Sequence, residues 1–137
     1  MAGGGVALFE AAKELANTPI KGVPAVGDEA RGVAIIRTIL EKPLRAIAEN
    51  AGKDSNDVVS KVFSMESGMG LNAATGDYVD MFKEGIIDPL KVVKAALTNA
   101  VTVASMVLTT EAVITDIPED KDKGGMSNMG GPGMGDY

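Results

Sequence analysis

A long apolar segment after Asp88-Pro89 constrains the fold more than any other feature. Asp is a favourable N-cap, and Pro at the first helical position gives up a donor that would be unpaired anyway. From Val92 to Leu108, apolar residues recur at helical spacing and cover more than one face. The sequence therefore predicts a helix that runs to about Thr110, is buried on several sides and forms the centre of the domain.

Composition favours one mainly helical domain. A chain of 137 residues that is 45% apolar can bury one core, and with 4% aromatics that core must be largely aliphatic. Polar residues such as Lys94 and Asn99 interrupt the apolar segment, which falls short of the ~20 apolar residues that cross a bilayer. We therefore expect no membrane partner, and the N-terminus lacks the features of a secretory signal, so we expect a cytoplasmic protein.

The residue types that are missing exclude several kinds of chemistry. The chain has no His and no Cys, so it has no imidazole base, no thiol nucleophile and no zinc site of the usual kind. We predict no catalytic residue and no metal ligand. The formal net charge is −6, and no cluster of Lys and Arg is present, so no nucleic-acid partner is expected.

Three further helices follow from the pattern of apolar residues. The first begins after Gly3-Gly4-Gly5 and ends near Asn17. The second, about twenty residues long, begins with Asp28 as its N-cap and is kinked or split at Pro43. The third is short, is capped by Asp54 or Ser55 and ends before Gly68.

Two regions favour β-structure. Glycines between Gly68 and Tyr78 predict two short strands around a turn, followed by a short helical turn over residues 79–84. Residues Ala112 to Ile117 are β-prone and predict a C-terminal edge strand without a nearby partner. Beyond it, residues 118–137 are rich in Gly and Met and predict a flexible tail.

Three short motifs are candidates for ligand binding, although each has a purely structural explanation. The triple glycine before a helix can admit a ligand close to the backbone, or can simply form an N-terminal turn. Asn72 with Ala73 and Ala74 leaves room for a flat ligand beside an amide, and equally suits a hairpin loop. Asp88 can contact a ligand or cap the long helix.

Taken together, the motifs resemble those of the bacterial group I chaperonins of the GroEL type. The resemblance rests on Ala2-Gly3-Gly4-Gly5-Val6-Ala7-Leu8, Lys42-Pro43-Leu44-Arg45-Ala46-Ile47, Gly70-Leu71-Asn72-Ala73-Ala74-Thr75, Gly85-Ile86-Ile87-Asp88-Pro89, Thr109-Thr110-Glu111 and the Gly-Met tail. It covers the whole chain, which corresponds to the C-terminal portion of a longer family sequence. It implies that residues 1–117 are the C-terminal part of the equatorial, ATP-binding domain, a mainly helical fragment with a short β-hairpin and a C-terminal edge strand.

The resemblance also implies a function. The parent proteins are ATP-dependent ring chaperonins that assist protein folding, with ATP or ADP and magnesium as cofactors. Their partners are other subunits of the ring, a co-chaperonin and unfolded clients. Carried over by position, the nucleotide-binding residues on the adenosine side are Gly3, Gly4, Asn72, Ala73, Ala74 and Asp88.

The parts of the family's site that act on the phosphates are absent from this sequence. It contains no phosphate-cradling loop, no magnesium-binding Asp and no catalytic Asp of the family, so the chain alone is not expected to hydrolyse ATP. One alternative is a free-standing helical interaction module. A weaker one is a carboxylate enzyme that uses Asp77 and Asp80. The family also pairs the C-terminal strand with partners that include an N-terminal strand missing here, so we predict self-association through Ala112 to Ile117.

Overall fold

A computed structural model describes residues 1–116, which form five helices and one β-hairpin. The tail at 118–137 and Ile117, both named in the predictions above, lie outside the described residues. In chain order the elements are α1 (Val6–Asn17), α2 (Asp28–Leu40), α3 (Lys42–Asn50), α4 (Ser55–Phe63), β1 (Met69–Leu71), β2 (Tyr78–Asp80) and α5 (Leu90–Leu108). The mainly helical architecture with a short hairpin agrees with the prediction.

The break predicted at Pro43 divides the second helical pattern into α2 and α3. Pro43 lies in the first turn of α3, where a missing N–H leaves no intrahelical bond unmade. Arg45 and Glu41 form an ion pair of 3.1 Å across the junction. The prediction for the start of α2 is wrong by one residue: Gly27 is the N-cap, and Asp28 is the first helical residue.

Helix α4 begins as predicted. The Asp54 carboxylate accepts hydrogen bonds from the backbone N–H groups of Asn56, at 2.8 Å, and Asp57, at 3.1 Å. These bonds satisfy two of the donors that a helix N-terminus leaves free, which is why Asp is favoured there.

The hairpin is confirmed, but the helical turn predicted after it begins too early. Strands β1 and β2 are antiparallel, and Gly70 is opposite Val79. Val79 and Asp80 therefore belong to a strand, and the turn occupies residues 81–85. The Asp80 carboxylate accepts from the backbone N–H groups of Phe82, at 3.0 Å, and Lys83, at 3.2 Å, so it stabilises the turn.

Two small clusters form the core. The larger one joins α1, α3, α4 and β1 through Phe9, Leu44, Ala48, Val58, Val62 and Leu71. The smaller one contains Ala2, Val6 and Met81. Both are largely aliphatic, as the low aromatic content predicts, and both lie on the side of the molecule that carries the glycine turn and the hairpin.

Helix α5 forms where predicted, but the prediction that it is a buried central helix is wrong. None of its residues is buried, and Val92, Val103 and Val107 are each more than half exposed. Within residues 1–116 an apolar groove of about 630 Å³ separates α5 from Ile39, Pro43 and other residues of α2 and α3. The sequence pattern shows that α5 is apolar, but it does not show which residues pack against α5.

By length and composition alone, α5 could also cross a membrane. A core helix of a soluble protein meets the same criterion. Except for Asn99, the polar residues of α5 lie along one stripe, which is typical of a helix with one solvent-exposed face and one packed face. The stripe consists of Lys91, Lys94, Thr98, Thr102 and Ser105.

The predicted C-terminal edge strand is not formed. Residues 112–116 have no regular secondary structure and are exposed, and the Ile114 side chain is 98% exposed. A β-prone segment becomes a strand only when another strand satisfies its backbone groups, and none of the described residues pairs with it.

Candidate functional site

Backbone pairing brings the start of the chain next to the segment before α5. Ala2 and Ile87 form an antiparallel bridge, and the N–H of Gly3 donates to the carbonyl oxygen of Ile86 at 2.9 Å. The N–H of Asp88 donates to the carbonyl oxygen of Met1 at 3.0 Å, and the α-ammonium group of Met1 donates to the carbonyl oxygen of Asp88, also at 3.0 Å. The predicted site residues Gly3, Gly4 and Asp88 are therefore neighbours.

The glycine turn also lies against the end of β1. Gly4 has a φ of 62°, a left-handed conformation that favours glycine. A Cβ atom at Gly4 would stand 2.8 Å from the Met81 Cε and 3.9 Å from the carbonyl oxygen of Leu71. Since Asn72 follows Leu71 directly, the third predicted segment begins next to the glycine turn.

The Asn72 loop presents one amide beside two small side chains. The Asn72 backbone N–H donates to the Asp77 carbonyl oxygen at 2.8 Å, and its side-chain Oδ1 accepts from the Ala74 N–H at 3.1 Å. Asn72 is half-buried, whereas Ala73 and Ala74 are exposed. Its side-chain NH₂ has no protein partner within residues 1–116, so the amide can still donate to a ligand.

Asp88 does not cap α5, which corrects that prediction. Pro89 occupies the N-cap position, and no side chain caps this helix. The Asp88 side chain is exposed and takes part in no hydrogen bond or ion pair among the described residues. Both of its carboxylate oxygens are thus available as acceptors for a ligand.

A cavity of about 250 Å³ joins the glycine turn to Asp88. It is lined by Gly4, Gly5, Asp88 and mainly apolar side chains, among them Pro43 and Ile47. Asn72, Ala73 and Ala74 do not line it. The structure therefore gathers Gly4, Gly5 and Asp88 around one cavity, whereas Gly3 packs against the Ile86 backbone and the Asn72 loop lies beside the cavity.

The groups at and beside this cavity could hold the adenosine part of a nucleotide. A free carboxylate suits the hydroxyl donors of a ribose, and a free amide NH₂ suits the ring nitrogens of a base. A magnesium ion bound to a nucleotide usually takes one or two protein carboxylates as well. Residues 1–116 contain no group of three or more side chains that could hold a metal.

A larger, open concavity lies between α4 and the hairpin and was not predicted. It has a volume of about 920 Å³ and is lined by Lys53, Asp57, Lys61 and Tyr78, among others. The Lys61 Nζ stands 4.3 Å from the centre of the Tyr78 ring. Burial raises the pKa of the Tyr78 phenol, and the charge of Asp57 raises it further. Asp57 and Lys61 are four residues apart on α4, so they lie on the same face of the helix. This spacing is the sequence signal that could have predicted their proximity.

The Asp80 carboxylate, one of the two proposed for an enzyme, has a structural role instead. Hydrogen bonds from the Lys83 side chain and backbone lower the pKa of Asp80, which ties this carboxylate to the turn after β2. Asp77 lies in the hairpin loop, where its backbone carbonyl accepts from Asn72.

Comparison with known proteins decides the family. A model of the TCP-1/cpn60 chaperonin family matches residues 1–118. The chain belongs to this family. Among solved structures, this chaperonin chain is similar to the open-state monomer of a group II chaperonin from Methanococcoides burtonii, with 27% sequence identity and a TM-score of 0.68. The match covers 80% of this chain and 28% of that one, so the chain spans little more than a quarter of its relative.

Proposed function

We propose that this chain is part of an ATP-dependent ring chaperonin that assists protein folding. In this proposal it contributes the adenosine-side half of the nucleotide site and contacts between subunits. The observation that carries the proposal is the backbone pairing that holds Gly3 and Gly4 beside the free carboxylate of Asp88. Family membership supports the same assignment.

Each residue of the half-site has a specific part in binding. The Asp88 carboxylate accepts hydrogen bonds from the ribose hydroxyls. Gly3 and Gly4 have no side chains, so the ribose can approach the backbone. The Asn72 amide donates to the base, and the small side chains of Ala73 and Ala74 leave room for it. These residues bind and orient the nucleotide, and the bound ATP with its magnesium ion supplies the phosphoryl group.

Hydrolysis and folding require parts of the protein that this chain does not include. The phosphates need charge neutralisation from a phosphate loop, a magnesium ligand and a catalytic carboxylate. Other subunits of the ring, a co-chaperonin and unfolded clients are the partners of the complete protein in this proposal, and its location is the cytoplasm. The Gly-Met tail and the Asn-Ala-Ala motif support a group I protein of the GroEL type.

Titration with ADP and magnesium tests the half-site. We expect the folded chain to bind ADP and Asp88→Ala to abolish the binding, because the carboxylate is the charged acceptor beside the glycine turn. Asp28→Ala is the matched control, since Asp28 is an exposed carboxylate on a distant helix. Absence of ADP binding in a chain shown to be folded would reject the half-site.

The exposed face of α5 supports a second candidate, a free-standing helical module that binds protein partners. Apolar side chains such as Val92 and Val103 are exposed, and the groove beside Ile39 is open. Contiguous exposed apolar surfaces often mark interaction sites. Partner binding that Val103→Glu removes while ADP has no effect would favour this candidate.

A further inference from the structure

We propose that Met81 is the positioning residue that sets the arrangement of the candidate nucleotide site. This inference rests on the proposed function, because the site in question is the adenosine-side half-site. Met81 does not line the cavity beside Gly4 and Asp88, so its effect on a ligand is indirect. Three separate contacts support the role, one with each segment of the site.

The burial of Met81 is unusual for its position in the chain. It is the first residue of the turn after β2, yet it is 0% exposed, whereas the adjacent Phe82 is 58% exposed. Turn residues normally lie on the surface. Met81 instead packs with Ala2 and Val6, and with Val79 and Ile86 at the edge of that cluster. Its side chain therefore points inward, between the hairpin and the start of the chain.

The side chain of Met81 separates two glycines that belong to different segments. The Met81 Cε lies 2.8 Å from the position that a Cβ atom would have at Gly4. The Met81 Sδ lies 2.9 Å from the position of a Cβ atom at Gly70. Gly4 belongs to the glycine turn, and Gly70 belongs to the strand that leads into Asn72. Methionine is unbranched, so it can fill such a narrow space between two backbones. The spacing of the two segments is thus set by Met81 together with Val6, whose Cγ2 also contacts the Cβ position of Gly70.

The backbone of Met81 holds the third segment. Its N–H donates to the carbonyl oxygen of Gly68 at 2.9 Å, which fixes it to the hairpin. Its carbonyl oxygen accepts from the N–H of Ile86 at 2.8 Å, and the carbonyl of Ile86 in turn accepts from the N–H of Gly3. Ile86 lies two residues before Asp88. The glycine turn, the Asn72 loop and the Asp88 segment consequently all depend on this residue.

Truncation of Met81 is expected to disturb all three segments together. Removing a fully buried side chain leaves a cavity that the surroundings close only in part, so the backbones on either side shift. A site that is already arranged before the ligand arrives binds more tightly than one that must be ordered on binding. Loss of Met81 therefore weakens nucleotide binding without removing any group that touches the nucleotide.

The first test is calorimetric titration with ADP and magnesium of the full chain and three variants, each shown to be folded. Met81→Ala is expected to weaken binding by at least about tenfold. Met81→Leu keeps the volume and should stay within about threefold of the parent chain. Val62→Ala shortens a side chain that is 4% exposed in the other core cluster, and it should also stay close to the parent value.

The second test does not require a ligand. Hydrogen exchange is followed at three amides: those of Gly3 and Asp88, whose hydrogen bonds join the glycine turn to the Asp88 segment, and that of Asn72, which donates within the hairpin loop. Met81→Ala should accelerate exchange at all three amides relative to those of α4, and Val62→Ala should not. A merely structural side chain would change exchange throughout the fold.

The outcomes separate this inference from the proposed function. If the parent chain binds ADP and Met81→Ala binds equally well, or Val62→Ala loses as much affinity, the positioning role is wrong. Unchanged exchange at the three amides in Met81→Ala also overturns it. If the parent chain does not bind ADP, the proposed half-site fails, and the exchange data alone decide whether Met81 positions the three segments.

Discussion

The backbone of Gly5 lies directly against the backbone of Leu44. A Cβ atom at Gly5 would stand 2.6 Å from the Leu44 nitrogen and 2.9 Å from its Cα. Gly5 also has a φ of 78°, in the left-handed region. This contact joins the N-cap of α1 to α3, and it fixes the glycine turn at a second point besides Met81.

Gly5→Ala is therefore expected to be strongly destabilising. A left-handed alanine costs about 1–2 kcal/mol, and forcing an extra methyl group against packed backbone costs about 1–3 kcal/mol more. Urea unfolding measures the sum. Gly22→Ala is the control, because Gly22 has a φ of 88° but nothing within 4 Å of its Cβ position. It should show the conformational cost alone, and equal losses in the two variants would contradict the close contact.

Asp54→Ala should lower the free energy of unfolding by about 0.5–2 kcal/mol, because it removes the side chain that caps α4. Thermal unfolding of the two variants Asp54→Ala and Asp28→Ala provides the comparison. Asp28 is the first residue of α2 and accepts no capping bond, so its loss should cost no more than about 0.3–1 kcal/mol. A larger loss from Asp28→Ala would mean that the cap is misassigned.

Much of the fold follows from local sequence signals. The break at Pro43, the Asp54 cap and the hairpin after Gly68 each depend on residues within a few positions of one another, and all three are confirmed. The prediction that α5 is buried failed because burial is not a local property. The environment of α5 depends on residues distant in sequence, and its burial could not be inferred from its apolar pattern.

The candidate site, too, was predictable where it depends on local motifs and not where it depends on contacts between distant residues. Sequence motifs single out the glycine turn, Asn72 and Asp88, but not the bridge between Ala2 and Ile87 that brings two of them together. An isolated bridge has no periodicity to detect. The sequence favours a capping role for Asp88 because Asp before Pro is a common helix start, yet here Pro89 is the cap. Met81 carries no motif at all, and only its contacts reveal it.

The raised pKa of Tyr78 predicts a loss of stability at high pH. The native state holds the phenol proton more tightly than the unfolded chain, so the stabilisation is complete below the unfolded pKa of about 10. It is lost as the pH rises through the higher pKa of the folded state. Tyr137→Phe leaves Tyr78 as the only tyrosine, and ultraviolet absorbance then follows its titration.

Burial is the larger cause of the Tyr78 shift and Asp57 the smaller one. Asp57→Asn should therefore lower the pKa of Tyr78 only part of the way to its ordinary value. A midpoint at or below that ordinary value in the parent chain would contradict the half-buried position of the ring.

Strand addition through residues 112–116 is expected to drive self-association. Ile114 is 98% exposed, and its β-prone segment has no pairing strand among residues 1–116. Sedimentation at increasing concentration should show association in the parent chain and a weaker tendency in Ile114→Lys. Val103→Lys, which places the same charge on the exposed face of α5, is the control. If Val103→Lys alone prevents association, the surface is α5 and the strand hypothesis is wrong.

We propose that this chain recognises the adenosine side of a nucleotide and not its phosphates. Competition against bound ADP tests it most directly, with adenosine and pyrophosphate as the two competitors. Adenosine is expected to displace ADP, pyrophosphate is not, and Asp88→Asn is expected to weaken the binding of both ADP and adenosine. Displacement by pyrophosphate alone, or ADP affinity that is indifferent to Asp88, would contradict it.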